Sequence, residues 1–155
     1  MIKRMMLLCV LAVGGFAAFG AAPALAASTA VTQNAWFQNQ NRIIEVNNRV
    51  HVSWTYNGGT VSNGRCQWTW SKLNFWSLSG RQTRCVYEQN RHRVHGWQIT
   101  TFTSTAFCPN HARTTVAIRN DVYAYFDGSA AGTTTFAKSG ACKSSLFAFR
   151  RLTRG

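Results

Sequence analysis

The sequence predicts an all-β protein: a single antiparallel β-sandwich or β-barrel domain with two disulfides. Short runs rich in β-branched and aromatic residues recur along the chain, and turn-forming residues separate them. Strands spaced in this way, without clear helical periodicity, are typical of sandwiches and barrels. Apolar residues make up 46% of the chain, which is enough to fill a core and excludes general disorder.

The clearest strands are residues 49–56 and 66–71, in which alternate side chains are apolar or aromatic. Cys66, Trp68 and Trp70 would share the core face of the second run. The Asn-Gly-Gly sequence that follows the first run tolerates positive φ and predicts a turn. Further strands are predicted at residues 83–87, 97–103, 114–119, 122–126 and 145–150.

The segment before the first clear strand is the weakest part of the pattern. Residues 34–46 carry scattered apolar residues and no clear helix cap, which predicts a short helix or an irregular lead-in. No internal repeat or boundary divides the following chain, so residues 27–155 are expected to form one disulfide-stapled β domain.

Residues 1–26 are predicted to be a secretory signal peptide. Lys3 and Arg4 precede an uncharged apolar run, and residues 24–26 fit the small-x-small cleavage rule. A retained transmembrane helix is the alternative, but glycines and Pro23 interrupt the run and no basic stop-transfer cluster follows. We therefore expect a secreted protein without a transmembrane segment in the mature chain.

The mature chain has four cysteines, Cys66, Cys85, Cys108 and Cys142. An even number of cysteines in a small exported domain predicts disulfides. Three pairings are possible, and we favour Cys66–Cys85 with Cys108–Cys142, because each pair would flank a hairpin or neighbouring strands. No C-x-x-C pair or zinc-finger histidine spacing is present, so we predict neither a metal site nor a cofactor.

Charge is the strongest functional signal. The chain carries 17 basic and 4 acidic residues, for a formal net charge of +13. Without Lys3 and Arg4 the net charge is +11, and 12 of the 15 remaining basic residues are arginine. Arginine binds phosphate, sulfate and carboxylate groups through a planar, two-pronged donor face. The expected partner is an anionic polymer or a cell-surface component; a basic surface that only aids solubility is the alternative.

The predicted binding residues come from two arginine-dense stretches and one aromatic segment. Alternate residues from Arg91 to His95 would form a basic stripe if they lie on a strand. Trp76, close to a predicted turn, would form an exposed aromatic tip that stacks on a sugar or a base, although core packing is an equal alternative. The predicted set is Arg81, Arg84, Arg91, Arg93, His95, Trp76, Arg150 and Arg151.

Catalytic signals are sparse. Glu88 and His92 are the residue types that a small basic nuclease would use for acid–base chemistry, with Arg84 beside a phosphate. The simpler interpretation is that these are polar surface residues on a strand and a turn. No nucleophile elbow is present.

These observations predict a secreted, strongly basic, non-enzymatic binding protein. Its arginine-rich face would contact an anionic polymer or surface, such as a wall polymer, a glycan or nucleic acid. Two alternatives stay open at this point. One is a protein-directed effector, an inhibitor or toxin-like factor, which would present rigid loops to a protein partner. The other is a small secreted hydrolase or nuclease.

Overall fold

A computed structural model describes residues 25–155, which form eight strands and one short 3₁₀ helix. The strands are β1 (Ala27–Asn39), β2 (Ile44–Tyr56), β3 (Val61–Lys72), β4 (Ser77–Glu88), β5 (Arg93–Ser104), β6 (Thr114–Tyr125), β7 (Ala130–Gly140) and β8 (Leu146–Arg154), and the helix is Lys143–Ser145. Apart from Leu25 and Ala26, the predicted leader at 1–26 lies outside the described residues. Within the described part, no helix is long and apolar enough to cross a membrane.

The strands form two antiparallel four-stranded sheets that pack face to face, which confirms the predicted all-β sandwich. Sheet A has the strand order β3-β2-β1-β8, and sheet B has the order β4-β5-β6-β7. The chain therefore completes β1 to β3 in sheet A, builds all of sheet B, and returns with β8 beside β1.

Successive strands run in opposite directions, so their connections collect at two ends of the sandwich. The loop end carries the β1–β2 turn, the β3–β4 and β5–β6 loops and the β7–β8 connection. The turn end carries the β2–β3, β4–β5 and β6–β7 turns.

The prediction of a helix or an irregular lead-in at residues 34–46 is wrong. This segment contains the end of β1, a tight turn and the start of β2. Every second residue from Val31 to Phe37 is buried and faces sheet B. The alternation is hidden in the sequence because the buried set includes Gln33 and the outward set includes Trp36.

The two strands predicted at 114–119 and 122–126 form one continuous strand, β6. Asn120 and Asp121 between them remain part of the strand, and their backbones pair with Gln98 and Trp97 of β5. Asn and Asp usually signal a turn. Here the Asn120 side chain has hydrogen-bond partners on the inner face of the sheet, and the Asp121 side chain has partners on the outer face.

Two apolar clusters fill the space between the sheets. The cluster nearer the turn end includes Trp54 and Val122, and the cluster nearer the loop end includes Phe37 and Trp76. A layer of buried polar side chains separates them, and we call it the polar belt. Its members are Gln33, Asn48, Gln98, Thr100 and Asn120.

Hydrogen bonds of the polar belt cross between the sheets. Asn48 Nδ2 of sheet A donates to Thr100 Oγ1 at 2.8 Å and to the Ile118 carbonyl at 3.0 Å. Gln33 Nε2 donates to Thr134 Oγ1 at 2.8 Å. Because buried polar groups are costly unless they are paired, these directional bonds select one relative placement of the two sheets.

Both predicted disulfides are confirmed. Cys66 of β3 bonds Cys85 of β4, and Cys108 of the β5–β6 loop bonds Cys142 just before the 3₁₀ helix. Cys66 and Cys85 do not flank a hairpin or paired neighbouring strands as predicted, because β3 and β4 are edge strands of opposite sheets. Cys66–Cys85 therefore ties the two sheets together along one side, and Cys108–Cys142 clamps two connections at the loop end.

Candidate binding face

The positions of the four acidic residues determine which surfaces carry basic residues without a neighbouring carboxylate. Glu45 is buried, with 1% of its surface exposed. Glu88 and Asp121 lie on the outer face of sheet B, and Asp127 lies in the β6–β7 turn, where the Ser129 hydroxyl donates to it. The outer face of sheet A therefore carries no carboxylate.

Alternate residues of β3, β2, β1 and β8 form the outer face of sheet A. Cross-strand pairing sets Arg49 beside Asn34 and Asn34 beside Arg151. His51 and Thr32 form the next pair, with His51 Nδ1 2.9 Å from Thr32 Oγ1. We call this surface the acid-free face and define it as Asn34, Arg49, His51, Arg65, Gln67 and Arg151.

Shallow depressions run across the acid-free face. Two of them, of about 210 and 280 Å³, share Thr32 and Arg49 as lining residues. Gln67 also lines the first, and Arg151 lines the second. Asn34 Oδ1, on the same face, is buried and accepts no hydrogen bond from the described residues. The face is thus polar, basic and slightly concave.

The acid-free face ends in an aromatic pair toward the loop end. Trp36 of β1 and Phe149 of β8 are cross-strand neighbours, with ring centroids 5.9 Å apart and ring planes inclined by 17°. Phe149 is 39% exposed. Flat rings beside arginines are the arrangement that protein surfaces use to stack sugars or bases while holding their charged groups.

The outer face of sheet B has a different character, because its charges are paired in a ladder. Arg93 Nε donates to Glu88 Oε2 at 2.6 Å, and Arg119 donates two bonds to Asp121 at 2.8 and 2.9 Å. His95 joins the two pairs, with Nδ1 2.9 Å from Glu88 and Nε2 3.0 Å from Asp121. A carboxylate only accepts, so both bonds form together only when both ring nitrogens carry hydrogen.

The ladder stabilises its two carboxylates in the charged form. Burial acts to raise the pKa of Asp121, but hydrogen bonds from Arg119 and His95 outweigh burial and hold that pKa below its usual value. The pKa of Glu88 is lowered in the same way, against the effect of burial, by His95 and Arg93. Burial and the two nearby carboxylates raise the pKa of Tyr123, whose ring stacks on His95 with centroids 4.2 Å apart.

The basic stripe predicted at residues 91–95 is not an open surface. Arg91 lies in the β4–β5 turn at a φ of 66°, and its guanidinium is 5.6 Å from the Tyr87 ring centroid. Arg93 and His95 do share the outer face of β5, but Glu88 occupies both of them. His95 is only 8% exposed.

The other predicted arginines are exposed but divided among different surfaces. Arg84 lies on the outer face of sheet B beside Trp97, whereas Arg81, three residues earlier, lies on the opposite side of β4. Arg151 belongs to the acid-free face, and Arg150 lies on the other side of β8. Alternation along a strand separates neighbours of this kind.

Trp76 does not form an exposed aromatic tip, and that prediction is wrong. Its side chain is fully buried, and Nε1 donates to Glu45 Oε2 at 3.0 Å. Phe75, the preceding residue, is the exposed one, at 41%. The buried carboxylate of Glu45 allows the indole to lie in the core, because it accepts a hydrogen bond from an N–H group that would be costly to bury unpaired.

Glu88 and His92 are not brought together as an acid–base pair. The His92 ring packs against Phe126, with centroids 5.2 Å apart, while Glu88 bonds His95 and Arg93. His95 is the histidine that contacts carboxylates. The predicted residue types are therefore present, but they form the ladder.

Sequence reasoning missed most of the acid-free face, including Arg49, His51 and Arg65. The alternation within residues 49–56 was a usable signal, because it puts Arg49, His51 and Ser53 on the face of the strand that points away from the apolar residues.

No protein-family model, curated protein or solved structure matches this chain.

Proposed function

We propose that this protein is an exported, non-enzymatic binding protein that holds an anionic polymer on the acid-free face. The observation that carries the proposal is the segregation of acids. Arg49, Arg65 and Arg151 share a face without carboxylates, whereas the carboxylates of sheet B hold Arg93 and Arg119. Export is supported by two disulfides, which persist in oxidising compartments.

The chemistry of the acid-free face suits a repeating anion. Arg49 and Arg151 flank Asn34 across three neighbouring strands, which places their backbones about 10 Å apart at the usual strand spacing. Each guanidinium can hold a phosphate, sulfate or carboxylate through two parallel bonds. Asn34 and Gln67 supply amide groups that can pair with hydroxyls or base edges between the anions.

Binding across a salt series tests this function. The oxidised protein is titrated against duplex and single-stranded DNA, a sulfated glycan and an uncharged polysaccharide. The proposal expects binding to the anionic polymers that weakens linearly in log Kd against log salt, by about 0.9 per neutralised phosphate on duplex DNA. Binding confined to the uncharged polysaccharide, or no binding to any polymer, would contradict it.

A further inference from the structure

The loop end of the sandwich combines exposed apolar side chains with positive charge. Four large apolar side chains there are 41–48% exposed. We call them the apolar tip and define it as Ile43, Ile44, Phe75 and Phe147. Exposed apolar groups that gather at one place usually mark an interaction site.

Hydrogen bonds hold the segments that carry Ile43, Ile44 and Phe75 of the apolar tip. Asn39 Oδ1 accepts from the backbone N–H groups of Asn41 and Ile43, at 2.9 and 3.1 Å, and fixes the β1–β2 turn. Asn39 Nδ2 in turn donates to Glu45 Oε1 at 2.7 Å. The other oxygen of Glu45 accepts from Trp76, next to Phe75. One buried carboxylate therefore ties the β1–β2 turn and the start of β2, which carry Ile43 and Ile44, to the loop that carries Phe75.

Among the described residues, the exposed charged side chains around the apolar tip are all basic. Arg42, Arg113 and Lys143 are exposed in the connections of the loop end. The carboxylate at this end is the buried Glu45. The other three carboxylates lie toward the turn end: Glu88 ends β4, Asp121 lies in the second half of β6, and Asp127 lies in the β6–β7 turn. The exposed carboxylates thus lie away from the apolar tip.

We propose that the apolar tip inserts into the surface of a lipid bilayer that contains anionic lipids. The partner must offer both a hydrocarbon environment and negative charge, which polysaccharides and nucleic acids do not combine. The apolar side chains come from the β1–β2 turn, the start of β2, the β3–β4 loop and the start of β8. Because they are spread over one end of the sandwich, they suit a broad, soft surface. Apolar insertion and the attraction of basic residues to anionic headgroups add in such binding.

This inference is independent of the polymer-binding proposal, because the apolar tip and the acid-free face share no residue. The orientation that it requires leaves the sides of the sandwich, including the acid-free face, outside the bilayer. A protein bound in this way would present Arg49 and Arg151 to a polymer at the membrane surface.

Vesicle flotation tests the inference, with neutral phosphatidylcholine vesicles compared with vesicles that also contain phosphatidylglycerol. The wild-type protein is expected to float with the anionic vesicles. The double variant Ile43→Ser/Phe147→Ser should bind them about tenfold more weakly, because two apolar side chains leave the interface. The matched control is Leu152→Ser, which removes a side chain of similar exposure (38%) from β8 away from the apolar tip, and it should bind like the wild type. Thermal unfolding of each variant confirms that it is folded.

Three results would overturn the inference. If vesicles do not bind while the sulfated glycan does, the membrane proposal fails and polymer binding stands. If the double variant binds vesicles like the wild type, adsorption is electrostatic and the apolar tip does not insert. If sedimentation shows a dimer that the double variant abolishes, without vesicle binding, the apolar tip serves a second copy of the chain. Vesicle binding without polymer binding would instead support the apolar tip and contradict the proposed function.

Discussion

Asn120 reaches across the sandwich to Asn48: its Nδ2 donates to the backbone oxygen of Asn48 at 2.8 Å and to its Oδ1 at 3.2 Å. Asn120 Oδ1 also accepts from Thr134 at 2.7 Å. One side chain therefore links β2, β6 and β7 in the middle of the core. The polar belt that it anchors interrupts the apolar packing but specifies how the sheets align.

Replacement of Asn120 by alanine should lower the free energy of unfolding by about 2–4 kcal/mol, because it leaves buried groups of Asn48 and Thr134 unpaired. Chemical denaturation followed by tryptophan fluorescence measures the change. Asn47→Ala, on the outward side of β2, is the control and should shift stability by no more than about 0.5 kcal/mol. Equal effects of the two variants would show that the polar belt contributes no special stability.

His95→Gln should destabilise the fold by about 1–3 kcal/mol. The imidazole ring reaches Glu88 and Asp121 through nitrogens on opposite sides, whereas glutamine has a single amide nitrogen. Glu88 or Asp121 would therefore lose a donor. Denaturation at pH 7 measures the loss. His92→Gln, in the β4–β5 turn, keeps both carboxylates paired and should leave stability almost unchanged. A larger loss in His92→Gln would contradict the ladder as described.

The ladder also predicts a dependence of stability on acid. The pKa values of Glu88 and Asp121 are lowered in the folded protein, so their stabilising contribution is fully present above the pKa of the unfolded chain, about 4. It is lost as the pH falls through the lower folded values, because the unfolded chain takes up protons first. Urea denaturation between pH 7 and pH 2 should show the loss. In a Glu88→Gln/Asp121→Asn variant the acid-dependent fall should be shallower, and an unchanged profile would contradict the assignment.

The two disulfides should contribute to stability to a similar degree. Replacement of either pair by serines is expected to cost about 2–4 kcal/mol, mainly because the unfolded chain gains freedom. The cost should be slightly greater for Cys108–Cys142, whose sequence separation is 34, than for Cys66–Cys85, whose separation is 19. Calorimetry of the two double-serine variants checks the order. A variant as stable as the wild type would contradict the expectation for that bridge.

The sequence predicted the fold class well because the strongest strands carry their own periodicity. Residues 49–56 alternate cleanly, and they form the second part of β2, with Val50 and Val52 buried. It failed at β7, Ala130–Gly140, where alanine, glycine and threonine give no contrast between the two faces. Such a strand is specified by its neighbour β6 rather than by its own residues.

The candidate binding face could not be assembled from sequence for a related reason. Arg49 and Arg151 are far apart along the chain and come together only because β8 returns to pair with β1. The local density of arginines near residue 91 pointed instead to a region where Glu88 binds the side chains of Arg93 and His95. Cross-strand pairing, which decides which charges meet, is set by tertiary structure.

Polymer binding by two triple variants of equal charge tests the acid-free face most directly. Arg49→Ser/Arg65→Ser/Arg151→Ser removes three cations from that face, and Arg81→Ser/Arg84→Ser/Arg91→Ser removes three from β4 and its turn. On duplex DNA, the first variant should bind more than tenfold more weakly, and its salt slope should fall by close to 3, about 0.9 for each lost phosphate contact. The second should keep the wild-type slope and most of the affinity. Equal losses in both variants, or a larger loss in the second, would contradict the assignment of binding to the acid-free face.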